Sequence, residues 1–472
     1  MRNGPTSVAP VAEKLIDAVV NISTTQTMKG PEGVPLPRVP KGAPFEEFFE
    51  DFFNRRGGRS PADRKVSSLG SGFVIDGKEG LVVTNNHVID GADEIIVNFH
   101  DGSKLKVDKV LGKDTKTDLA LVKVTPKKPL PSVAFGASGK MRVGDWVMAI
   151  GNPFGLGGSV TVGVISAKQR DINSGPYDDF LQTDAAINKG NSGGPLFNMD
   201  GEVIGVNTAI ISPTGGSIGI GFAVPSDTAV AVIDQLRQFG ETRRGWLGVK
   251  IQSITDELAD TLGVQDNTGA LVSSVTNDSP AAKGGIQDGD IILKFDGKDV
   301  SSMRGLPRIV AQTPIGKEVD VEILRKGQKL NLRVAVARLI EDEDAAKAAT
   351  PKEAPKSKGK SRGKDNKDSG KAPSGSLIGL VLAPLTDELR EKNGLGKDVK
   401  GVIVLEVDPA SPAAEKGIKT GDVIVEVAQD TVTSVDDVSK GIDKVKKAGR
   451  KAVLLRLESG QGGLRFVAIP VE

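Results

Sequence analysis

The chain has 472 residues, a length that predicts two to four domains at roughly 100–200 residues each. Its 62 basic and 61 acidic residues leave a net charge of +1, which excludes a global basic field for binding nucleic acid. Cysteine is absent, which excludes disulfides and thiolate sites, and the two histidines, His87 and His100, are too few for a metal site of three imidazoles.

The N-terminal region joins one apolar stretch to a long loop. Residues 8–23 predict a short helix or the entry of a strand, and the apolar core of a signal peptide is absent before them. Within the loop predicted for residues 24–66, five phenylalanines in segment 45–53 recur at three- and four-residue steps. This spacing places them on one face of a short amphipathic helix, which either docks on its own domain or contacts another subunit.

Short β-branched runs separated by Gly and Asn/Asp turns fill residues 66–225. Many short strands at close spacing predict an all-β barrel or sandwich. A helix is predicted to follow, with Ser226 as its N-cap and Gly240 at its end. No apolar run reaches about 18 residues anywhere in the chain, so no transmembrane helix is predicted.

Two later stretches are copies of each other. Residues 279–292 recur 132 positions further on, at 411–424, with nine of 14 positions identical. An internal duplication of this kind predicts two domains of one fold, each of about 95 residues. Each copy is predicted to contain a strand, a short Ser-capped helix, a Gly-Asp turn and a second strand. A later helix is predicted at 303–312 in the first copy and at 434–448 in the second.

The segment between the copies, residues 341–376, has the composition of a flexible tether. Residues 352–371 contain seven lysines and Arg362 against three acids, with no aromatic residue and no Leu, Ile, Val or Met. Such a segment cannot bury enough apolar surface to offset its chain entropy. Binding of nucleic acid or a weak contact with a membrane surface is the alternative, and the missing aromatic residues argue against nucleic acid.

Ser192 lies in the glycine-rich run Gly190-Asn191-Ser192-Gly193-Gly194. Glycines permit backbone curvature that a Cβ would forbid, and such a turn can aim neighbouring N–H groups at one developing oxyanion. A serine hydroxyl is a weak nucleophile that needs a base. The alternative is a glycine-rich β-turn with an incidental serine.

Candidates for the base and for the group that orients it come earlier in the chain. His87 follows the apolar strand 81–84, whereas His100 lies beside an Asp-Gly turn and reads as exposed surface. Asp118 immediately precedes an apolar strand, where its carboxylate could accept a histidine Nδ1–H and fix the tautomer. Asp114 is the near competitor for this role.

The order His, Asp, Ser, with spacings of 31 and 74 residues, is the chain order of chymotrypsin-type serine proteases. The segments 84–88, 117–121 and 190–196 resemble the HtrA family of serine proteases. The two repeats, which begin at residues 244–249 and 377–380, resemble PDZ domains. One protease domain with two PDZ domains is similar to the DegP (Do) branch of that family, and the resemblance covers the chain outside the tether.

The resemblance implies a mostly-β fold, with a chymotrypsin-like double β-barrel protease domain over residues 1–240. It further implies α+β PDZ domains at 243–338 and 377–472, joined by a flexible charged linker at 339–376. The length of this linker argues against tight coupling of the two PDZ domains.

The resemblance also implies roles for individual residues. Ser192 would be the nucleophile, His87 the general base and then acid, and Asp118 the orienting carboxylate, while Arg170 matches the arginine of an activation-sensor loop. The oxyanion hole would be formed by Gly190, Asn191 and Ser192. A small apolar substrate pocket would be lined by Ala186, Ile187, Thr208, Ala209 and Ile210. The peptide-binding loops of the PDZ domains would be Trp246, Leu247, Gly248 and Val249, and Leu377, Ile378, Gly379 and Leu380.

The function implied is an ATP-independent serine endopeptidase that degrades unfolded or misfolded proteins, cleaves after small aliphatic residues and also acts as a chaperone. No Walker-type phosphate loop is present, and neither a cofactor nor a metal is expected. The implied partners are unfolded polypeptides, C-terminal peptides bound by the PDZ domains, and further copies of the chain in trimers that build hexamers or larger cages. The implied location is the periplasm. The alternative is a catalytically silent PDZ scaffold or holdase.

Overall fold

The computed structural model describes residues 4–28, 64–152, 158–188, 190–212, 216–264, 267–340, 375–460 and 463–471. The chain divides into two compact units, residues 1–242 and 243–472. The phenylalanine-rich segment 45–53 and tether residues 341–374 lie outside the described residues. In the described ranges, no helix is long and apolar enough to cross a membrane.

The first unit begins with helix α1 (Ala9–Leu15) and a seven-stranded antiparallel sheet of order β5-β4-β1-β2-β3-β7-β6. A short helix, α2 (Asn86–Ile89), follows β3. The strands are β1 (Val19–Met28), β2 (Arg64–Asp76), β3 (Leu81–Thr84), β4 (Glu94–Asn98), β5 (Lys104–Lys106), β6 (Lys109–Asp114) and β7 (Leu119–Lys123). Residues 8–23 therefore contain both a helix and the start of a strand.

Six further strands of the first unit close into an antiparallel barrel of order β10-β13-β12-β11-β8-β9. They are β8 (Trp146–Gly151), β9 (Ser159–Arg170), β10 (Phe180–Thr183), β11 (Pro195–Phe197), β12 (Val203–Ile210) and β13 (Gly221–Pro225). Apolar side chains of both sheets, among them Phe73 and Phe197, share one buried cluster. The mostly-β fold class predicted from the sequence is confirmed.

Helix α3 (Ser226–Phe239) ends the first unit, and the prediction of its start needs a correction. Pro225 occupies the N-cap, and the Ser226 hydroxyl instead donates to the Gly136 carbonyl oxygen at 2.6 Å. Ser226 thus joins the helix to a distant loop rather than capping its own N–H groups. The predicted end is confirmed, because Gly240 takes a left-handed conformation (φ 75°).

The first repeat of the second unit is a five-stranded path β15-β16-β17-β19-β20, in which β18 pairs with β17, together with a separate pair β14-β21. Its strands are β14 (Gly245–Trp246), β15 (Val249–Gln252), β16 (Ala270–Val275), β17 (Ile291–Phe295), β18 (Lys298–Asp299), β19 (Glu318–Arg325), β20 (Gln328–Ala335) and β21 (Ala337–Arg338). Its helices are α4 (Asp256–Leu262), α5 (Pro280–Lys283) and α6 (Gly305–Gln312).

The second repeat forms the path β22-β23-β24-β25-β27-β28, in which β26 pairs with β25. Its strands are β22 (Gly375–Leu377), β23 (Leu380–Pro384), β24 (Val402–Val407), β25 (Val423–Val427), β26 (Asp430–Thr431), β27 (Ala452–Glu458) and β28 (Leu464–Pro470). Its helices are α7 (Asp387–Lys392), α8 (Pro412–Glu415) and α9 (Val435–Lys447). Ser279 and Ser411 cap α5 and α8, as the duplicated sequence predicts.

The two repeats pack against each other, so the expectation of loose coupling is wrong. One buried apolar cluster takes Leu258 and Leu262 from α4 together with Leu454 and Phe466 from β27 and β28. The Gln252 carboxamide also donates to the Phe466 carbonyl oxygen at 2.7 Å and accepts from the Phe466 N–H at 2.9 Å. The reason for the error is that the apolar face of α4 is covered by strands of the other repeat, which a sequence pattern cannot reveal.

The Gly-Asp turn of the first repeat is held by a buried ion pair. The Asp290 carboxylate is almost fully buried, and both its oxygens accept hydrogen bonds from Arg325 at 2.7 Å. Its Oδ2 also accepts from the Gln287 N–H at 2.8 Å. Arg325 further donates to the Gly285 carbonyl oxygen at 2.7 Å, and the bonds to Asp290 raise the pKa of its guanidinium. The charge of each partner is therefore satisfied by the other.

The second repeat holds its Gly-Asp turn with a similar ion pair, but its arginine comes from β28, whereas Arg325 ends β19. Arg465 donates to the Asp422 carboxylate at 2.8 Å and to the Gly417 carbonyl oxygen at 2.7 Å, and the Lys419 N–H donates to Asp422 at 3.0 Å. In each repeat, the aspartate of the Gly-Asp turn is therefore paired with an arginine that lies far from it in the sequence.

Asp290→Ala is expected to lower the free energy of unfolding by about 3 kcal/mol, because it leaves the partly buried Arg325 without a counter-charge. The matched control is Asp299→Ala, which removes an exposed carboxylate 3.4 Å from Lys294 and should change stability by less than about 0.5 kcal/mol. Urea denaturation of both variants measures the difference. Equal losses in the two variants would contradict the role given to the buried pair.

The contact between the repeats is expected to weaken in acid. The hydrogen bond from Lys416 (2.6 Å) lowers the pKa of Glu257 from 4.5 to about 2. Because the folded pKa lies below the unfolded one, the contribution of this pair is fully present above about pH 4.5 and is lost as pH falls towards about 2. The Tm difference between wild type and Glu257→Gln should therefore shrink over this interval.

The matched control for this titration is Glu318→Gln, at an exposed position on β19 that has no ion pair in the ranges the structure describes. Its Tm difference from wild type should stay flat over the same pH interval. If the Tm difference between wild type and Glu257→Gln stayed constant down to about pH 2, the lowered pKa assigned to Glu257 would be contradicted.

Candidate active site

His87 lies in the first turn of α2, directly after the buried strand β3. Its neighbours Val88 and Ile89 are buried in the core of the first sheet, whereas half of the His87 side chain is exposed. The alternation anchors the short helix by its apolar face and presents the imidazole at the surface.

Asp118 is held in a left-handed conformation (φ 56°), which aspartate tolerates better than most residues. Its Oδ2 lies 2.6 Å from His87 Nδ1, and its Oδ1 accepts from the His87 N–H at 2.9 Å. Its carbonyl oxygen accepts from the Asn86 N–H at 3.1 Å and from Asn85 Nδ2 at 2.7 Å. Four contacts therefore fix the aspartate against the segment that carries the imidazole.

The competing aspartate is used elsewhere. Asp114 is buried at the end of β6, and its carboxylate accepts hydrogen bonds from the hydroxyls of Thr117 and Thr242. The turn between β6 and β7 thus places Asp118, not Asp114, beside the imidazole of His87.

The loop around Ser192 is closed by two glycines with positive φ, Gly190 (97°) and Gly193 (85°). A Cβ on Gly193 would lie 2.3 Å from the Ser71 carbonyl oxygen, so this position has no room for a side chain. The Gly193 N–H donates to the Asn207 carbonyl oxygen at 2.7 Å. The half-buried Ser192 is therefore set on a turn whose path is fixed on both sides.

Ser71 on β2 joins this loop to the first sheet, a role that was not predicted from the sequence. Its N–H donates to the Ser192 carbonyl oxygen at 2.8 Å, and its hydroxyl donates to the Gly190 carbonyl oxygen at 2.6 Å. The same hydroxyl accepts from the Asn152 N–H at 2.9 Å. The available signal was the pair of glycines around Ser71, which resembles the setting of Ser192 but was interpreted only as part of a strand.

Asn85 is a second residue that sequence reasoning did not single out. Its Nδ2 donates to the Asp118 carbonyl oxygen and, at 3.0 Å, to the Thr208 hydroxyl on β12. Because Asn85 directly precedes the helix of His87, this carboxamide ties that helix to the backbone of Asp118 and to the barrel that carries the serine loop.

The donors predicted for an oxyanion hole differ in their availability. The Asn191 N–H donates to the Asn188 carbonyl oxygen at 3.0 Å and is already engaged. Among the described residues, the N–H groups of Gly190 and Ser192 have no protein acceptor, and no hydrogen bond joins the His87 ring to the Ser192 hydroxyl. Within the described residues, no protein acceptor therefore competes for these two amides.

The residues predicted for the substrate pocket are only partly brought together. Ile187 and Ile210 pack in one apolar cluster of the barrel, whereas Ala209 packs against the cluster on the other face. The carbonyl oxygen of Ala186 accepts from the Thr161 hydroxyl at 3.0 Å. A bulge in β12 between Asn207 and Ala209 accompanies this division.

Arg170 and His100 have other surroundings. Arg170, at the end of β9, donates from Nε to the Gln182 carboxamide oxygen at 2.9 Å. His100 is exposed at a turn, as the sequence predicts.

The predicted peptide-binding loops occupy equivalent places in the two repeats. In the first, Gly248 (φ 83°) passes so close to Ser279 that a Cβ would lie 2.2 Å from the Ser279 Cβ. In the second, Gly379 (φ 79°) has the same relation to Ser411. The glycine of each loop is thus required by the capped helix beneath it. Leu247 and Leu380 are buried beside these glycines, and Trp246, Val249 and Ile378 are partly exposed.

Comparison with protein families gives two matches that agree with this architecture. Residues 70–206 match the trypsin-like peptidase domain, and residues 245–336 and 376–456 both match the PDZ domain. The first match contains His87, Asp118 and Ser192.

Relatives match over nearly the whole chain. The probable periplasmic serine endoprotease DegP-like of Brucella suis biovar 1 (strain 1330) is 44% identical, over 98% of this chain and 89% of its own length. The protein of the same name from Rickettsia conorii is 40% identical over the same shares. Among solved structures, the HtrA-type protease AlgW with decapeptide is 41% identical and covers 71% of this chain and 100% of its own, with a TM-score of 0.57. The chain is therefore a serine endopeptidase that belongs to the HtrA family, in its DegP-like branch with two PDZ domains.

Proposed function

We propose that this endopeptidase degrades unfolded or misfolded polypeptides without ATP, with Ser192, His87 and Asp118 as its catalytic triad. The observation that carries the proposal is the 2.6 Å contact between His87 Nδ1 and Asp118 Oδ2. An Nδ1 proton bound by the carboxylate leaves the lone pair of the neutral imidazole on Nε2, where it can accept a hydroxyl proton.

In the proposed reaction, His87 Nε2 takes the hydroxyl proton as Ser192 Oγ attacks the carbonyl carbon of the scissile bond. The imidazolium then protonates the leaving nitrogen, the C–N bond breaks, and an acyl-enzyme remains on Ser192. His87 then takes a proton from water as the water oxygen attacks the ester carbonyl carbon. The bond from this carbon to Ser192 Oγ breaks, and the imidazolium returns the proton to Ser192. The imidazole and the hydroxyl must approach each other when substrate binds, since catalytic hydrogen bonds often tighten only in the complex.

The oxyanion formed at the carbonyl carbon would be stabilised by the N–H groups of Gly190 and Ser192. Their freedom from protein acceptors within the described residues supports this role. Asn191, which was also predicted to contribute to the hole, would hold the turn between them through its bond to Asn188. Preorganised backbone donors of this kind contribute about 3–4 kcal/mol each to lowering the barrier.

Small aliphatic residues are the proposed specificity, and the apolar cluster of the barrel that contains Ile187 and the partly buried Ile210 supports it. Ala186, Thr208, Ala209 and Ile210 would complete or support the substrate pocket.

We further propose that Arg170 senses activation. Its exposed side chain and its bond to Gln182 leave it able to exchange partners.

The PDZ repeats would capture C-terminal peptides by strand addition. Solved HtrA-type relatives with a decapeptide and with a tripeptide support binding of peptides by this family.

The relative from Brucella suis is named a probable periplasmic endoprotease, and the same compartment is proposed for this protein. Assembly into trimers and larger cages, a chaperone activity, and the domain boundaries at 1–240, 243–338 and 377–472 also remain proposals.

Ser192→Ala and His87→Ala are each expected to lower the cleavage rate of β-casein by up to about 10⁶-fold, because the residues of a catalytic triad act together and the loss of one disables the others. His100→Ala is the matched control and should cleave at the wild-type rate, since His100 lies at an exposed turn. The Ser192→Ala variant should still suppress aggregation of an unfolded protein if the chaperone proposal is right. Wild-type cleavage by Ser192→Ala would refute the catalytic assignment.

Asp118→Asn is expected to lower kcat by about 10⁴-fold, because an amide can hold the imidazole in the wrong tautomer. Asp114→Asn, at the other aspartate of the same turn, should keep kcat within a few-fold and instead lower stability, since it alters bonds to Thr117 and Thr242. Peptide hydrolysis and thermal denaturation of both variants separate the roles. A larger loss of kcat for Asp114→Asn would reverse the assignment.

A further inference from the structure

The two repeats present their first long strand to solvent in different ways. In the first repeat, β15 is the outermost strand of its sheet and pairs only with β16 among the described residues. The short strand β14 before it turns away and pairs with β21, through Gly245↔Arg338 and Trp246↔Ala337. The outer edge of β15 is therefore open to a strand from another molecule.

In the second repeat the equivalent strand is enclosed. Strand β23 lies between β24 and β22, and β22 consists of the first residues after the tether, Gly375–Leu377. The register is Gly375↔Leu382, Ser376↔Val381 and Leu377↔Leu380. The edge that is open in the first repeat is here paired with the chain itself.

The turn between β22 and β23 explains how this closure is made. Its two central residues, Ile378 (φ 49°) and Gly379 (φ 79°), both have positive φ, as in a type I′ hairpin. Ile378 packs on the core cluster that includes Val438 and Ile442 of α9. A β-branched residue with positive φ is strained, so the closed hairpin carries an unfavourable conformational free energy at Ile378.

We propose that residues 375–377 are a built-in competitor strand that closes the peptide edge of the second repeat, so that the resting chain takes an extended C-terminal peptide at the first repeat only. This inference rests on the proposed peptide capture by the PDZ repeats. Main-chain pairing supplies the affinity in strand addition, and three paired residues already use that pairing on β23. Release of this short, strained hairpin would expose a second site of the same kind.

The stoichiometry of peptide binding tests the proposal. Calorimetry on the full chain carrying Ser192→Ala uses a decapeptide that ends in a free-carboxylate valine, with its C-terminal amide as the negative ligand. The chain should bind one equivalent of the free-carboxylate peptide. Adding Gly375→Pro, which removes the N–H of the hydrogen-bonded pair with Leu382, should raise this to two equivalents. Gly375→Ala keeps the N–H and is the matched control, which should stay at one.

A covalent lock supplies the reverse experiment. Ser376 and Val381 oppose each other across the hairpin, and cysteines at both positions can form a disulfide that is unique, because the chain has no other cysteine. The oxidised double variant should bind one equivalent, like the unlocked chain. If the reduced double variant bound two equivalents of peptide and the oxidised form bound one, the proposal would be overturned. Binding of only one equivalent by Gly375→Pro would also overturn it. Binding by none of the forms would instead overturn peptide capture itself, while β-casein cleavage tests the catalytic proposal separately.

Discussion

Ser71 holds the two halves of the first unit together at the point where chemistry is proposed. Its N–H and hydroxyl donate to the carbonyl oxygens of Ser192 and Gly190, its hydroxyl accepts from Asn152, and its own carbonyl oxygen accepts from the Thr84 hydroxyl. Thr84 ends the strand that leads into the helix of His87. The nucleophile loop and the imidazole are therefore positioned by one residue of the central strand β2. Neither can shift without breaking buried hydrogen bonds, and leaving buried polar groups unpaired costs free energy.

The sequence predicted the parts of the site whose chemistry lies in the residue type. His87, Asp118 and Ser192 were recognisable because few residues can act as base, orienting acid and nucleophile, and because glycines marked the turn at Ser192. The sequence did not reveal Ser71 or Asn85, which position these groups. Their partners lie 119 and 123 residues away in Gly190 and Thr208, and only the closed fold brings them together. The choice between Asp114 and Asp118 likewise depended on a turn conformation.

The fold class was accessible because short β-branched runs and a duplicated segment leave a strong pattern. The predictions were wrong where tertiary contacts determine the role of a residue or the packing of a domain. Ser226 looks like an N-cap, yet its hydroxyl is used by Gly136. The composition of the tether suggested independent PDZ domains, yet coupling does not depend on the tether. It depends on the apolar face of α4, where Leu258 and Leu262 find their cover on the second repeat.

The packing of the repeats uses one end of the second sheet and leaves the other end free. Phe466 of β28 contacts the first repeat, while β22 and β23 lie at the opposite end of the strand order. Docking of the repeats and opening of the hairpin at Ile378 therefore engage different strands. A peptide that displaced residues 375–377 would compete with a three-residue hairpin and not with the apolar cluster of the docked pair.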